Sequence, residues 1–334
     1  MVAPSDDRGM VAFASIGSRR PDGIRGFLDM KTYRDIQGDG GSDILGQVLA
    51  QRDRIGANLS TVGRLLGVGS GKGGVGKSTL TTLLALELTR RGLSCAILDA
   101  DLNGPSQAQL AGVTLAPPMP GERGLLMPRG KGGFGVVSLG SLLPPREAFE
   151  LPTVAHGDSY TWRATREFTL LGELLAGVEW GRLDLLLVDL PPGAERAVQY
   201  AEALGPDLGF VLATVPSDLS RGVVARAIAA LRRTPNPLLG YVENMSGYYC
   251  RGCAEMRPLF TEGGSAEEAL VGLARLGSLP FDPELAGLCD RGLEGVPAGP
   301  VADSVRGIAD RLLATLAQVG GAHPVAAGDS EEAS

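Results

Sequence analysis

The stretch GKGGVGKS at Gly71–Ser78 matches every fixed position of the phosphate-binding pattern G-x-x-x-x-G-K-[ST]. An apolar run, LLGVGS at 65–70, precedes it, and a helical pattern at 78–91 follows it. In this strand–loop–helix context, glycines let backbone N–H groups converge on phosphate oxygens, and the helix N-terminus adds the positive end of its dipole. The sequence therefore predicts a nucleotide phosphate site at this loop.

The loop chemistry assigns a role to each of its polar side chains. We expect Lys77 to pair with the β and γ phosphates, the Ser78 hydroxyl to ligate Mg²⁺, and Thr79 to lie beside the α phosphate. ATP is thus the expected ligand. The residues that we expect to contact it here are Gly71, Lys72, Gly73, Gly74, Val75, Gly76, Lys77, Ser78 and Thr79.

Outward from the loop, short apolar runs alternate with helical patterns. The predicted strands cover residues 65–70, 94–100, 134–140, 183–190, 208–215, 238–244 and 274–280. The predicted helices between and after them cover residues 78–91, 166–175, 195–204, 219–233, 266–273 and 301–319. Most of these strands are nearly continuous apolar runs, as in a parallel sheet buried on both faces. We predict an α/β fold: a doubly wound, mostly parallel sheet with helices on both faces.

The patterns divide the chain into four segments. Residues 1–29 are rich in Gly, Arg, Asp and Pro, and we expect them to be disordered or to precede a true start codon at Met30. Residues 30–63 are expected to be helical, with a helix at 43–59 laid against the main domain. Residues 64–319 form the predicted nucleotide-binding domain, and residues 320–334 a disordered acidic tail.

Composition excludes several classes of function. The 334 residues carry 31 Lys and Arg against 38 Asp and Glu, a net charge of −7, and no apolar run of the roughly 18 residues that a membrane span needs. We therefore expect a cytoplasmic protein with neither nucleic acid nor membrane as a partner. The only two histidines are His156 and His323, which excludes a multi-histidine metal site within one chain.

Three carboxylates follow predicted strands and complete the expected nucleotide site. In LDADLNGPS, Asp99 and Asp101 are two residues apart and can face one site. Asp101 is expected to orient the attacking water, while Asp99 supports Mg²⁺ or the lysine. Asp189 ends the apolar run LDLLLVD, in the manner of a Walker B carboxylate that holds Mg²⁺ through water.

Cys250 and Cys253 form a C-x-x-C pair in a predicted loop after the sixth strand. Two thiolates at this spacing can share a metal or a cluster, or form a redox pair. The other cysteines, Cys95 and Cys289, lie far away in sequence and offer no obvious third and fourth ligands. A two-fold dimer would supply four cysteines, which suits either a bridging [4Fe–4S] cluster or a structural zinc ion.

Together these motifs resemble the Mrp/ApbC family of P-loop ATPases, iron–sulfur cluster carriers related to the Nbp-type cytosolic scaffolds. The matching stretches are GSGKGGVGKSTL, LDADLNGPS, WRATREFTLLGELLAGVEWGRLDLLLVDLPPG, ENMSG with the C-x-x-C, and LPFDPELAGLCDRG, within about residues 64–319. The family belongs to the deviant Walker A group, and Lys72 resembles the signature lysine that reaches the nucleotide of a dimer partner.

The resemblance implies a homodimer that holds a [4Fe–4S] cluster between its subunits and delivers it to apo iron–sulfur proteins. It assigns catalytic roles to Lys72, Lys77 and Asp101, and cluster ligation to Cys250 and Cys253. It also implies that Asn244 contacts adenine and that Pro280 lines the base.

Three departures from the family pattern stand in the sequence. Trp162-Arg163 continues with Ala164-Thr165-Arg166 instead of Gly-Pro-Met, and Pro191-Pro192-Gly193 continues with Ala194-Glu195-Arg196 instead of Thr-Gly-Asp. Arg251-Gly252 replaces the common Pro-His between the cysteines. Because the second element senses the γ-phosphate in the family, we expect slow ATP hydrolysis.

Two other functions fit the same motifs. A positioning ATPase of the MinD/ParA kind shares the loop and the dimer, but the C-terminal helix at 301–319 carries only Arg306 and Arg311 as cations and lacks the basic face of a membrane anchor. A nucleotide-dependent scaffold with zinc at the cysteines is the other alternative.

Overall fold

A computed structural model describes residues 44–114, 116, 118–141, 160–250, 252–260, 270 and 272–319. Their helices are α1 (Ile44–Leu59), α2 (Lys77–Arg90), α3 (Gln107–Leu110), α4 (Tyr160–Gly177), α5 (Ala194–Leu204), α6 (Asp218–Leu231), α7 (Pro283–Arg291) and α8 (Pro300–Val319). A 3₁₀ turn spans Leu139–Ser141. Within these ranges, no helix is long and apolar enough to cross a membrane.

The strands form one large sheet and one small sheet. They are β1 (Val62–Ser70), β2 (Cys95–Asp99), β3 (Met119–Pro120), β4 (Leu125–Leu126), β5 (Gly135–Val137), β6 (Val178–Glu179), β7 (Leu183–Asp189), β8 (Leu208–Thr214), β9 (Leu238–Cys250), β10 (Glu255–Arg257) and β11 (Arg275–Phe281). In the large sheet the order is β10-β9-β8-β1-β7-β2-β5, with β11 also paired to β9. Every pairing in it is parallel except the β9–β10 hairpin.

Alternate residues of each central strand point into two separate hydrophobic cores. Leu66 and Val68 of β1 belong to the core that α2 and α8 cover, whereas Leu65 packs against the core that α4, α5 and α6 cover. A strand buried on both faces needs apolar residues at nearly every position, which explains the continuous apolar runs. The doubly wound, mostly parallel α/β fold is therefore confirmed.

The seven predicted strands are all present, and most of the helices begin or end within a few residues of their predicted limits. The small sheet of β3, β4 and β6 was not predicted, because strands of two residues carry no readable period. The sixth predicted strand is longer than expected and continues to Cys250. Residues 1–29, 30–43 and 320–334 and most of the predicted helix 266–273 lie outside the described residues, so their assignments stay predictions.

Helix α1 lies against α4 of the main domain. Asn58 donates from Nδ2 to the carbonyl oxygen of Ala176 at 2.6 Å, at the C-terminal end of α4 where carbonyl groups lack helical partners. Gln51 donates to the Glu173 carboxylate at 2.9 Å. These bonds join the N-terminal helix to the helix that borders the carboxylate side of the nucleotide site.

Candidate nucleotide site and cysteine pair

The phosphate-binding loop lies between the carboxyl end of β1 and the first turn of α2. Gly74 and Gly76 both have φ near +78°, a left-handed conformation that residues with a Cβ rarely adopt. Helix α2 begins directly after Gly76, whose carbonyl accepts from the N–H of Leu80 at 3.0 Å. The first N–H groups of α2 lack helical partners and are available to an anion.

Substituting alanine in this loop is expected to destabilise the nucleotide-free protein to a degree that depends on position. A Cβ at Gly76 would lie 2.1 Å from Nδ2 of Asn244, in addition to the left-handed strain, so Gly76→Ala should lower the free energy of unfolding by about 3 kcal/mol. At Gly74 an added Cβ meets no atom, so Gly74→Ala adds only the strain of the left-handed backbone and should lower the free energy of unfolding by about 1 kcal/mol. Denaturant unfolding measures both. Gly73→Ala is the matched control, because a Cβ added at Gly73 would meet open space. An equal loss of unfolding free energy in all three variants would contradict the roles given to Gly74 and Gly76.

A buried ion pair joins the loop lysine to the Walker B carboxylate. Lys77 Nζ contacts Asp189 Oδ1, and the two side chains are 7% and 0% exposed. Asp189 Oδ2 accepts from Nε2 of Gln107 at 2.8 Å, and Gln107 also donates to the Ser78 carbonyl at 3.0 Å. The site thus brings Lys77, Ser78 and Asp189 together through the Gln107 amide, a group that the motifs do not include.

Asp99 lies fully buried at the end of β2, next to Asp189 in the strand register. Its Oδ2 accepts from the N–H groups of Ser106 and Gln107, both at 3.0 Å, and from Ser138 Oγ at 2.9 Å. Within the described part of the chain, Oδ1 has no hydrogen-bond partner. Burial, and then the charge of Asp189, raise the pKa of Asp99 to about 7. A buried carboxylate oxygen with an open position suits Mg²⁺ or a water on it.

Asp101 and Lys72 stand at the solvent side of the same site. Asp101 is half-buried, and its carbonyl accepts from the N–H of Gly104 in a tight turn at 3.1 Å. Burial raises the pKa of the Asp101 carboxyl, an effect that the charge of Lys77 opposes. Lys72 is half-buried and forms no ion pair with any residue that the structure describes. Asp101 is accordingly close enough to Lys77 for the two charges to interact.

The residues predicted to hold the base lie side by side on β9 and β11. Asn244 pairs with Leu279 in the parallel register, next to the buried Pro280. The Asn244 side chain is buried and donates from Nδ2 to the carbonyl oxygen of Val75 at 2.8 Å. In this arrangement Asn244 ties β9 to the phosphate-binding loop, and its Oδ1 accepts from the N–H of Met245 at 2.9 Å.

The cysteine pair lies at the far end of the same strand. Cys250 is the last residue of β9 and pairs with Glu255 in the β9–β10 hairpin, while Cys253 is exposed in the turn. The expectation of a loop immediately after residue 244 is therefore wrong for Cys250, because pairing with β10 extends β9. The N–H of Cys253, the Cys253 side chain and the N–H of Gly252 lower the pKa of the Cys250 thiol. Arg257 Nη2 is 3.8 Å from Cys253 Sγ.

Three residues of the site carry no motif and were missed by sequence reasoning. Gln107 joins Asp189 to Ser78, and Glu167 of α4 forms an ion pair with Arg196 of α5. The one signal in the sequence was that Glu167 directly follows one departure from the family pattern and that Arg196 belongs to another. Among the described residues, no group of three or more His, Cys, Asp or Glu side chains is arranged to hold a metal ion.

Known proteins match this chain over most of its length. The chain is 37% identical over 261 residues to "Cytosolic Fe-S cluster assembly factor NUBP2" of Gallus gallus, covering 76% of this chain and 90% of that protein. It is 34% identical over 251 residues to "Iron-sulfur cluster carrier protein" of Methanocaldococcus jannaschii, covering 74% and 83%.

Solved structures of other proteins have a similar fold. A nucleotide-binding protein of Archaeoglobus fulgidus in complex with ADP aligns with a TM-score of 0.59 and 32% identity, over 71% of this chain and 90% of that one. The MinD ATPase of Pyrococcus furiosus, at 19% identity and a TM-score of 0.52 over 75% and 99%, shares the fold. The family model described as ParA, NUBPL iron-transfer P-loop NTPase, matches residues 61–313. The resemblance to the Mrp/ApbC and Nbp-type proteins is thereby confirmed, and the chain belongs to the family of iron-transfer P-loop NTPases.

Proposed function

We propose that this protein binds ATP, hydrolyses it slowly, and carries an iron–sulfur cluster between two copies of the chain. The observation that carries the proposal is that strand β9 contacts both candidate sites. Asn244 of β9 is hydrogen-bonded to the phosphate-binding loop, and the accessible thiol pair lies at the end of the same strand. Relatives whose names describe iron–sulfur assembly factors and carriers support it.

The nucleotide half of the proposal uses the residues around Lys77. Mg²⁺, when bound, would neutralise charge between the β and γ phosphates, with the Ser78 hydroxyl and the Asp189 carboxylate as oxygen donors and Asp99 behind them. Lys77 would exchange its contact with Asp189 for the phosphates, which leaves Asp189 available to the metal. Lys72, without an ion pair among the described residues, would reach the nucleotide of the second subunit.

The cargo half of the proposal needs a homodimer. Cys250 and Cys253 supply two thiolates, and the structure shows no third or fourth ligand beside them in the part of the chain that it describes. A two-fold axis would bring together four, the number that a [4Fe–4S] cluster takes. The cluster would then be handed to apo iron–sulfur proteins, in the cytoplasm as for the cytosolic relatives.

A membrane-anchoring role is not favoured by the C-terminal helix. In α8, Arg306 pairs with Asp303, and Arg311 donates to the carbonyl of Leu276 at 2.7 Å. Neither arginine contributes to a row of free cations, as a membrane-anchoring face would require.

Replacing Asp101 tests the hydrolytic part directly. Asp101→Ala and Asp101→Asn should lower kcat for ATP hydrolysis by about 100-fold, because each removes the carboxylate that orients and deprotonates water. Nucleotide affinity should stay within about twofold, since the ligands of the phosphates are untouched. Phosphate release measures kcat, and titration with a fluorescent nucleotide measures the nucleotide affinity. Full turnover in both variants would show that another group positions the water. The control for the loss of a negative charge is Asp290→Asn, which changes an acidic surface residue of α7.

A further inference from the structure

Glu167 is a buried acidic residue that no nucleotide-binding motif includes. It lies on α4 and is only 6% exposed. Its Oε1 accepts from Nδ2 of Asn103 at 2.8 Å, and its carboxylate forms an ion pair with Arg196. The Arg196 guanidinium also lies 5.7 Å from the centre of the Phe168 ring. Glu167 therefore joins three separate parts of the chain.

The two partners of Glu167 belong to the segments that border the expected γ-phosphate. Asn103 follows Asp101 by two residues, in the turn closed by the bond from Gly104 N–H to the Asp101 carbonyl. Arg196 lies in the first turn of α5, after the Asp189-Leu190-Pro191-Pro192-Gly193 segment. Gly193 is itself tied to the phosphate-binding strand by its N–H bond to the Ser70 carbonyl at 2.8 Å.

The burial of Glu167 makes these contacts cooperative. A carboxylate this deep is stable only when its charge is paired and its oxygens accept hydrogen bonds. If the Asp101 turn moves away, Glu167 loses its amide donor, and if α5 moves away, it loses its cation. The contact with Asn103 thus favours the position of α5, and the contact with Arg196 favours the position of the Asp101 turn.

We propose that Glu167 is a positioning residue for ATP hydrolysis, which holds the Asp101 turn and the segment after Asp189 in one arrangement through Asn103 and Arg196. Arg196, which belongs to one of the departures from the family pattern, is then one half of this contact. This inference rests on the proposed ATPase function, with Asp101 as the residue that meets water.

Asn103 allows the test without disturbing the core, because its side chain is exposed. Asn103→Ala should lower kcat about tenfold and leave KM unchanged, since a small displacement of a water-orienting group reduces the rate without affecting binding. Its melting temperature should fall slightly, because buried Glu167 loses a hydrogen-bond donor. Gln109→Ala, an exposed polar residue of the same segment, is the matched control and should keep the full rate. Glu167→Gln keeps an acceptor for Asn103 but loses the charge facing Arg196, so its kcat should lie between those of the wild type and Glu167→Ala.

Amide hydrogen exchange of residues 101–104 in the nucleotide-free protein gives a second readout that does not depend on turnover. Exchange at Gly104 should be several-fold faster in Asn103→Ala and unchanged in Gln109→Ala. If kcat and exchange both stay at wild-type values in Asn103→Ala, Glu167 has no positioning role. If the wild type shows no ATP turnover at all, the proposed ATPase function fails, and the exchange rates alone decide whether Glu167 holds the turn.

Discussion

Lys77→Ala is expected to lower the affinity for ATP by about 100-fold, the loss of roughly two charge-assisted hydrogen bonds to phosphate. It should also destabilise the nucleotide-free protein by about 3 kcal/mol, because Asp189 is then left charged and fully buried without its cation. Titration with a fluorescent ATP analogue and denaturant unfolding measure the two effects separately.

The double variant Lys77→Ala/Asp189→Asn separates binding from folding. Removing the orphaned charge should restore most of the lost free energy of unfolding, while ATP affinity stays low. Lys131→Ala is the matched control, because Lys131 is a surface lysine paired with Glu294 and far from the loop in sequence. Wild-type ATP affinity in Lys77→Ala would refute the phosphate site at this loop.

Replacing both cysteines of the pair should abolish cluster binding. After anaerobic reconstitution with iron and sulfide, the wild type should hold about four iron atoms per dimer and absorb visible light, and Cys250→Ala/Cys253→Ala should hold none. The expected loss is complete because a dimer without these thiols has no cysteine ligand left at the hairpin. Iron and sulfide analysis, visible spectra and gel filtration are the measurements.

The folded state should tolerate this change, since Cys253 is exposed and Cys250 is half-exposed at the sheet edge. Cys289→Ala, which removes another half-buried thiol outside the hairpin, is the control and should keep its cluster. Stoichiometric zinc with no iron in the wild type would support the scaffold alternative. A monomer that keeps its cluster would refute the bridging geometry.

Much of the fold follows from local patterns in the sequence. Strands buried on both faces leave continuous apolar runs, so β1, β2, β7 and β8 were predictable one by one. The phosphate-binding loop was predictable because its backbone conformation requires glycine, at Gly74 and Gly76 above all.

The missed features depend on contacts between residues distant in sequence. Gln107 reaches Asp189 across 82 positions, and no local period marks a glutamine that points inward. The extension of β9 to Cys250 depends on pairing with β10, whose three residues are all exposed and carry no apolar signal. Sequence patterns report burial along an element, whereas these contacts are decided by where two elements meet.

The course of β9 from the nucleotide site to the thiol pair has a mechanical consequence. Asn244 and Cys250 are six residues apart on one strand, about 20 Å at the usual rise per residue. Pairing with β11 as far as Tyr248 and with β10 from Tyr248 onward holds the two ends of this segment on either side of Met245, which has a φ of 54°. A rotation of about 5° at the nucleotide end would therefore displace the thiols by nearly 2 Å. That displacement is comparable to the bond lengths of metal–thiolate coordination, so a small tilt at one end is enough to change the geometry of a shared ligand set at the other.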